Sequence, residues 1–213
     1  MTTEYKVKPG DHLSRIAHDY GFADFKTIWE HGDNAALRQK RTNPNVLQPG
    51  DVVHVPDREL GTESAATERK HTFKVKSTGL RLVLTIQDGS GRSVPDADCI
   101  LRLDGKQFEL KTDSSGVIDH PIPRDAENAR LIAKHAESGT DLDVELLIGH
   151  LDPAETHGGA AARLNNMGYF AGDGKDAAAL AEAVEEFQCD HQLKVDGILG
   201  PQTIKKLTDV HGC

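Results

Sequence analysis

The sequence predicts a multidomain α+β chain: a βααβ module over residues 1–56, an all-β sandwich over 71–151 and an all-α three-helix unit over 152–213. Three observations predict it. Apolar residues recur at helical spacing near both ends of the chain, but with period two from about residue 71 to residue 148. Turn-forming dipeptides, Asp88-Gly89, Asp104-Gly105, Ser115-Gly116 and Ser138-Gly139, separate the period-two runs. Residues 57–70 are polar and show neither period, so they read as a linker. With 213 residues, 37% apolar and only 5% aromatic, each unit has a modest core.

Charge narrows the function. The chain carries 25 basic and 34 acidic residues, a net −9. Residues 1–56 hold seven basic and seven acidic side chains, and residues 152–213 hold five and ten, a net −5. A nucleic-acid binder needs a basic footprint, and none is present. No run of 18 apolar residues exists, so membrane insertion is not expected. Met1-Thr2-Thr3-Glu4-Tyr5 lacks the charged–apolar–small order of a secretory signal. The protein is therefore expected to be made in the cytoplasm.

In chain order, Tyr5-Lys6-Val7-Lys8 alternates as a short strand, Pro9-Gly10 is a turn, and Asp11 is placed to cap the next helix. Leu13, Ile16, Ala17 and Tyr20 form its inner face, and Gly21 stops it. A second helix begins near Asp24 with Phe25, Ile28 and Trp29 inward. A further short helix is expected from Asn34, and Val52–Pro56 is a strand that can pair with the first. The residues Tyr5-x-Val7-x-Pro9-Gly10-Asp11-x-Leu13-x-x-Ile16-Ala17, Tyr20-Gly21, Ile28 and Leu47-x-Pro49-Gly50-x-x-Val53-x-Val55-Pro56 resemble the lysin motif (LysM), a module that binds chitin and peptidoglycan. The resemblance implies a shallow sugar groove lined by Gly10, Asp11 and His12 on one side and Asn45, Val46 and Leu47 on the other. Two departures are His12, where the family has Thr, and a longer 31–41 segment that could reshape or cover the groove. The groove is either a sugar site or a structural or protein-docking surface.

In the middle, Phe73 and Val75 alternate, followed by Leu80, Leu82, Leu84 and Ile86. Further runs are 98–103, 107–111, 116–120, 129–133 and 142–148. Short strands at this spacing predict a sandwich. The series Gln87-Asp88-x-x-Gly91-x-x-Val94-Pro95-x-Ala97 and Thr112-Asp113-x-x-Gly116 resembles bacterial immunoglobulin-like and carboxypeptidase-regulatory-like sandwiches. That resemblance implies a rigid spacer or adhesion module, not a catalyst.

At the C-terminal end, Leu180, Val184 and Phe187 mark an amphipathic helix from Asp176, its N-cap, to about Asp190. Asp196-Gly197 is a turn, and Pro201 occupies the first position of a last helix, where its missing N–H costs nothing. Phe187-Gln188, Asp196-Gly197, Gly200-Pro201-x-Thr203 and Leu207, with Leu164-x-x-x-Gly168-Tyr169 upstream, resemble the three-helix peptidoglycan-binding domain of cell-wall hydrolases. The resemblance covers about residues 157–211, and Gln192 replaces the family's usual Gly. It implies a binding surface formed by Tyr169, Asp196, Gly197, Gly200 and Thr203. In the competing reading, Asp196 and Gly197 only make a turn and Tyr169 only packs.

No residues gather for chemistry. Neither a His-Glu-x-x-His nor a paired Cys-x-x-Cys occurs, and His150, Asp152, Glu155 and His157 at a junction read as solvated, so no metal and no cofactor is expected. His120 and His135 read as surface or satisfied residues, and Glu185-Glu186 as a solvated helix face. Val210-His211-Gly212-Cys213 resembles the nucleophile block of L,D-transpeptidases, but no catalytic β-domain precedes it, and no catalytic residue is assigned. Cys99 reads as a buried small hydrophobe. Cys189 and Cys213 either form a disulfide holding the end of the chain or stay free.

The combined expectation is a non-enzymatic peptidoglycan-binding protein that acts in the periplasm or cell envelope after signal-independent export. The alternative is an adaptor or accessory protein of a contractile injection (type VI secretion-like or phage-tail-like) machine. The arrangement of units resembles proteins associated with such systems. The partner would then be a spike or effector protein.

Overall fold

The computed structural model describes residues 2–58, 67–70, 72, 79–134 and 141–213. Most of the linker, the expected strand at Phe73 and Val75, His135 and the Ser138-Gly139 turn lie outside the described residues. The chain is a multidomain α+β protein with three separate apolar cores.

In the first, β1 (Thr2–Lys6) pairs antiparallel with β2 (Val52–Pro56), Tyr5 opposite Val53. Between them run α1 (Leu13–Asp19), α2 (Lys26–Trp29), a 3-10 turn at Gly32–Asn34 and α3 (Ala35–Lys40). Leu13, Ile16, Ile28, Val53 and Val55 fill the core. The helix expected from Asn34 is α3. Asn34 itself is buried and ties the extra segment down: its Nδ2 donates to Ile28 O at 2.8 Å and His54 O at 2.7 Å, and its Oδ1 accepts from His54 N at 2.8 Å. One local expectation fails. His12, not Asp11, caps α1, its Nδ1 accepting from Arg15 N at 3.3 Å. Asp11 is already committed to the Pro9-Gly10 turn, where Oδ2 accepts from Lys8 N at 2.8 Å and Tyr5 OH at 2.7 Å.

The second core lies between two antiparallel sheets. β3 (Leu80–Thr85) pairs with β6 (Val117–Ile122). The other sheet has the order β5 (Lys106–Lys111), β4 (Asp98–Leu103), β7 (Asn128–Ala133), β8 (Leu142–Leu147). Inward residues alternate along the strands, and Cys99, Leu101, Leu103, Ile118 and Leu131 are buried together. The Asp-x-x-Gly signals are turns closed by the acid: Asp88 Oδ1 accepts from Ser90 N, and Asp113 Oδ1 from Ser115 N and Val117 N.

The third core is made by α4 (His157–Asn166), α5 (Ala177–Asp190) and α6 (Pro201–His211). Thr156 and Asp176 cap the first two, accepting from Gly159 N at 3.0 Å and from Ala178 N at 2.9 Å. Ala160, Leu164, Leu180, Val184, Phe187 and Leu207 pack inside. α4 ends with Tyr169 N donating to Leu164 O and Gly168 N to Asn165 O, with Gly168 at φ +92°. This Schellman termination needs a left-handed residue, which is why the Leu-x-x-x-Gly-Tyr spacing is readable in the sequence. Among these apolar residues, Arg163 is buried. Its guanidinium donates to Asp152 O, Gly159 O and Cys213 O at 2.7–2.8 Å.

Candidate functional site

The two loops expected to form the N-terminal groove are joined by the fold itself. Leu13 N donates to Pro44 O at 3.2 Å, and Asn45 Oδ1 accepts from both Ser14 N and Ser14 Oγ at 3.2 and 2.8 Å. Asp51 clamps the far end of the second loop. Its carboxylate, 2% exposed, meets Arg41 Nε at 2.7 Å, Lys40 Nζ at 2.8 Å and Gln48 N at 3.0 Å. Burial alone would raise its pKa, but the Arg41 and Lys40 bonds outweigh it and hold the pKa at about 2.

Gly10, Asp11 and Leu47 line a cavity of about 200 Å³. His12, Val46 and Leu47 are buried, and Asn45 is half-buried. The rest of the cavity wall includes Gly149, His150 and Asp152, from the segment joining β8 to α4. Sequence reasoning missed these three as groove residues. They stand about a hundred positions from the module, and no local period links them to it.

Neighbouring contacts hold the same surfaces together. Arg15 Nη2 meets Glu127 Oε1 at 2.5 Å, and Arg124 Nη1 donates to Phe22 O and Ala23 O at 2.9 and 3.1 Å. His12 is the residue this packing leaves in tension. Burial, then the Arg15 charge, push its pKa below the ordinary histidine value. Nδ1 accepts, so the neutral ring carries its proton on Nε2. That Nε2 is the one buried side-chain polar atom without a hydrogen-bond partner among the described residues.

In the C-terminal unit, the expected residues divide. Gln188, 1% exposed, organises the Asp196–Gly200 loop from beneath. Its Oε1 accepts from Asp196 N at 2.8 Å and Gly197 N at 3.0 Å. Its Nε2 donates to Asp196 Oδ1 and Thr203 Oγ1 at 3.0 Å and to Ile198 O at 3.2 Å. Thr203 is buried in this network, while Asp196, Gly197 and Gly200 are less buried at its edge. Tyr169 stacks edge-on against Phe187 at 5.6 Å and donates to Asp190 Oδ2 at 3.0 Å. Burial and then that bond push its pKa up to about 12. The large apolar groups this unit presents to solvent are Phe170, 90% exposed, Ile198, Val195 and Val210. Phe170 was missed because a single aromatic in a turn belongs to no period.

The Cys213 thiol lies 3.3 Å from His211 Nδ1, and His211 Nε2 lies 3.1 Å from Asn166 Nδ2. Burial raises the thiol pKa, with Arg163 pulling the other way, and burial lowers the imidazole pKa. Both groups are thus held neutral, the opposite of an activated thiolate–imidazolium pair. The disulfide considered between Cys189 and Cys213 is not made, and both are free. Cys189 faces solvent on α5, whereas Cys213 is held near α4 by the bond from Arg163. Among the described residues no group of three or more His, Cys, Asp or Glu side chains could hold a metal ion, and no helix is long and apolar enough to cross a membrane.

Residues 160–207 match the family model “Putative peptidoglycan binding domain”. Residues 5–30 match the LysM domain model. The two matches support peptidoglycan binding and action at the cell wall. The LysM match stops at the end of α2, before the 3-10 turn and α3. No curated protein and no solved structure matches the chain.

Proposed function

We propose that this chain is a non-catalytic peptidoglycan-binding protein that attaches to the bacterial wall through both of its ends, with the β unit as an immunoglobulin-like spacer. The observation that carries the reading is the presence of two separately matched wall-binding regions, residues 5–30 and 160–207, on one chain. Shallow, turn-lined surfaces bind neutral sugars weakly. Two on one chain raise the apparent affinity when both can engage the same polymer. The N-terminal glycan surface is Gly10, Asp11, His12, Asn45, Val46 and Leu47. The C-terminal surface is Tyr169, Asp196, Gly197, Gly200 and Thr203, with Gln188 positioning the last four.

A second reading is an adaptor of a type VI secretion or phage-tail-like injection machine. It is favoured by the N-terminal loops, which already pack against a polypeptide segment, Gly149–Asp152. Incubating the full-length protein with purified sacculi tests both. Pelleting with the sacculi, without loss of their turbidity, is the expected result. Turbidity loss makes the protein a hydrolase. A protein that stays in the supernatant is not a wall binder, and a spike or effector partner becomes the better assignment.

A further inference from the structure

The segment between β8 and α4 crosses the mouth of the N-terminal groove. Gly149, at φ +81°, approaches so closely that a Cβ there would stand 2.5 Å from Gly10 O and 2.9 Å from His12 Cδ2. In return, a Cβ on Gly10 would stand 2.8 Å from His150 Nε2. The segment is anchored at both ends: Ile148 N donates to Glu127 O at 2.9 Å, and Asp152 O accepts from buried Arg163 at 2.8 Å. It therefore belongs mechanically to the β unit and the helical unit, not to the module it covers. The module is held beneath it by Arg15–Glu127 and by Arg124 on the Phe22 and Ala23 carbonyls.

This arrangement closes over a donor it does not satisfy. Cδ2 of His12 faces Gly149, and Nε2, the adjoining ring atom, is buried and unpartnered. The Asn45 side chain lies close enough to the ring to oppose the lowering of its pKa, but it makes no hydrogen bond with Nε2, its Oδ1 accepting instead from Ser14 N and Oγ. A buried N–H with no acceptor is costly, so the covered state carries a penalty that an acceptor from a ligand removes.

We propose that residues 149–152 are a strap that closes the N-terminal groove to N-acetylated glycans, and that displacing it frees His12 Nε2–H to donate to an N-acetyl carbonyl. The proposal rests on the reading of that groove as a sugar site. Affinity measured on the whole chain is then reduced by the fraction of molecules in which the strap is open.

The test is titration of chitopentaose, a β-1,4-linked N-acetylglucosamine oligomer, into the full-length protein and two variants. Gly149→Val places side-chain atoms where Gly10 O sits. The double variant Glu127→Arg with Arg124→Ala removes the docking bonds from more accessible positions, so it reports even if the first fails to fold. Deuterium exchange of residues 9–13 reads the strap independently of sugar. The expected result is faster exchange and at least ~tenfold tighter sugar binding in the variants. Adding His12→Phe to the opened double variant should cost about tenfold in affinity, the worth of one neutral hydrogen bond. Unchanged affinity there overturns the donor role. Equal binding by wild type and opened variants overturns the strap while the sugar reading stands. Faster exchange with no sugar binding by any form overturns the sugar reading, and the proposal with it.

Discussion

Gln188 and Asp196 are bonded twice: Gln188 Oε1 accepts from the Asp196 backbone N–H at 2.8 Å, and Gln188 Nε2 donates to the Asp196 carboxylate at 3.0 Å. The same buried amide reaches Gly197 N and Thr203 Oγ1. One side chain thus joins α5, the loop and α6. Gln188→Ala leaves two backbone donors and a buried hydroxyl without their partner. It should destabilise the protein by about 2–4 kcal/mol, seen as a lower urea midpoint. Loss of wall binding should follow only as far as the loop unfolds.

Gln192 occupies the left-handed position that ends α5, at φ +56°. Its N–H donates to Cys189 O at 3.2 Å, and Leu193 N donates to Gln188 O at 2.9 Å, a complete Schellman termination. A Cβ in this conformation is strained, and Gly relieves it. Gln192→Gly should therefore stabilise the protein by about 0.5–1 kcal/mol, part of the gain being offset by the freedom glycine adds to the unfolded chain. A thermal melt of both proteins decides the sign.

These two residues show why so much of the C-terminal unit was legible. Its motif residues are turn and cap chemistry, local in sequence, so Asp176, Pro201 and the Asp196-Gly197 turn could each be placed from a few neighbours, and Gly168 from the resemblance. The strands were equally legible, because Leu101 and Leu131 lie on faces set by a period of two. What local reading could not supply was anything made by distant segments. Gly149 meeting Gly10, or Arg124 meeting Phe22, joins positions about a hundred or more residues apart, and neither pattern carries a trace of its partner. The competition for Asp11 was also invisible. A turn carboxylate and a helix cap want the same residue type, and the turn won because Lys8 N and Tyr5 OH were both within reach.

The three thiols are free and differ in exposure. Cys189 is exposed, and Cys213 is half-buried against His211. Cys99 is 2% exposed inside the β unit. Burial raises the pKa of both Cys99 and Cys213, which suppresses their thiolates, whereas access favours reaction at Cys189. Iodoacetamide labelling of the native protein followed by mass spectrometry should modify Cys189 first, Cys213 more slowly and Cys99 only on unfolding. Masses that shift only after reduction would instead establish a bridge.

Asp51 makes part of the N-terminal unit's stability depend on pH. Its pKa is about 2 in the fold against 3.8 for the free side chain: burial pushes it up, and the bonds from Arg41 and Lys40 more than reverse that. A lowered carboxylate pKa stabilises the folded state above about pH 4, and that contribution is lost as pH falls through about 2. The shift corresponds to roughly 2 kcal/mol. Asp51→Asn also takes the carboxylate from the buried Arg41 guanidinium, leaving its charge with only the neutral Gln48 Oε1, so at pH 7 it should cost about 3–5 kcal/mol. Trp29, the chain's one tryptophan, packs against this core and reports its melting by fluorescence. The wild-type melt should shift down between pH 4 and 2 more steeply than that of Asp51→Asn, so the gap between them narrows in acid. A gap that stays constant over that range would show that the carboxylate holds the loop without a displaced pKa.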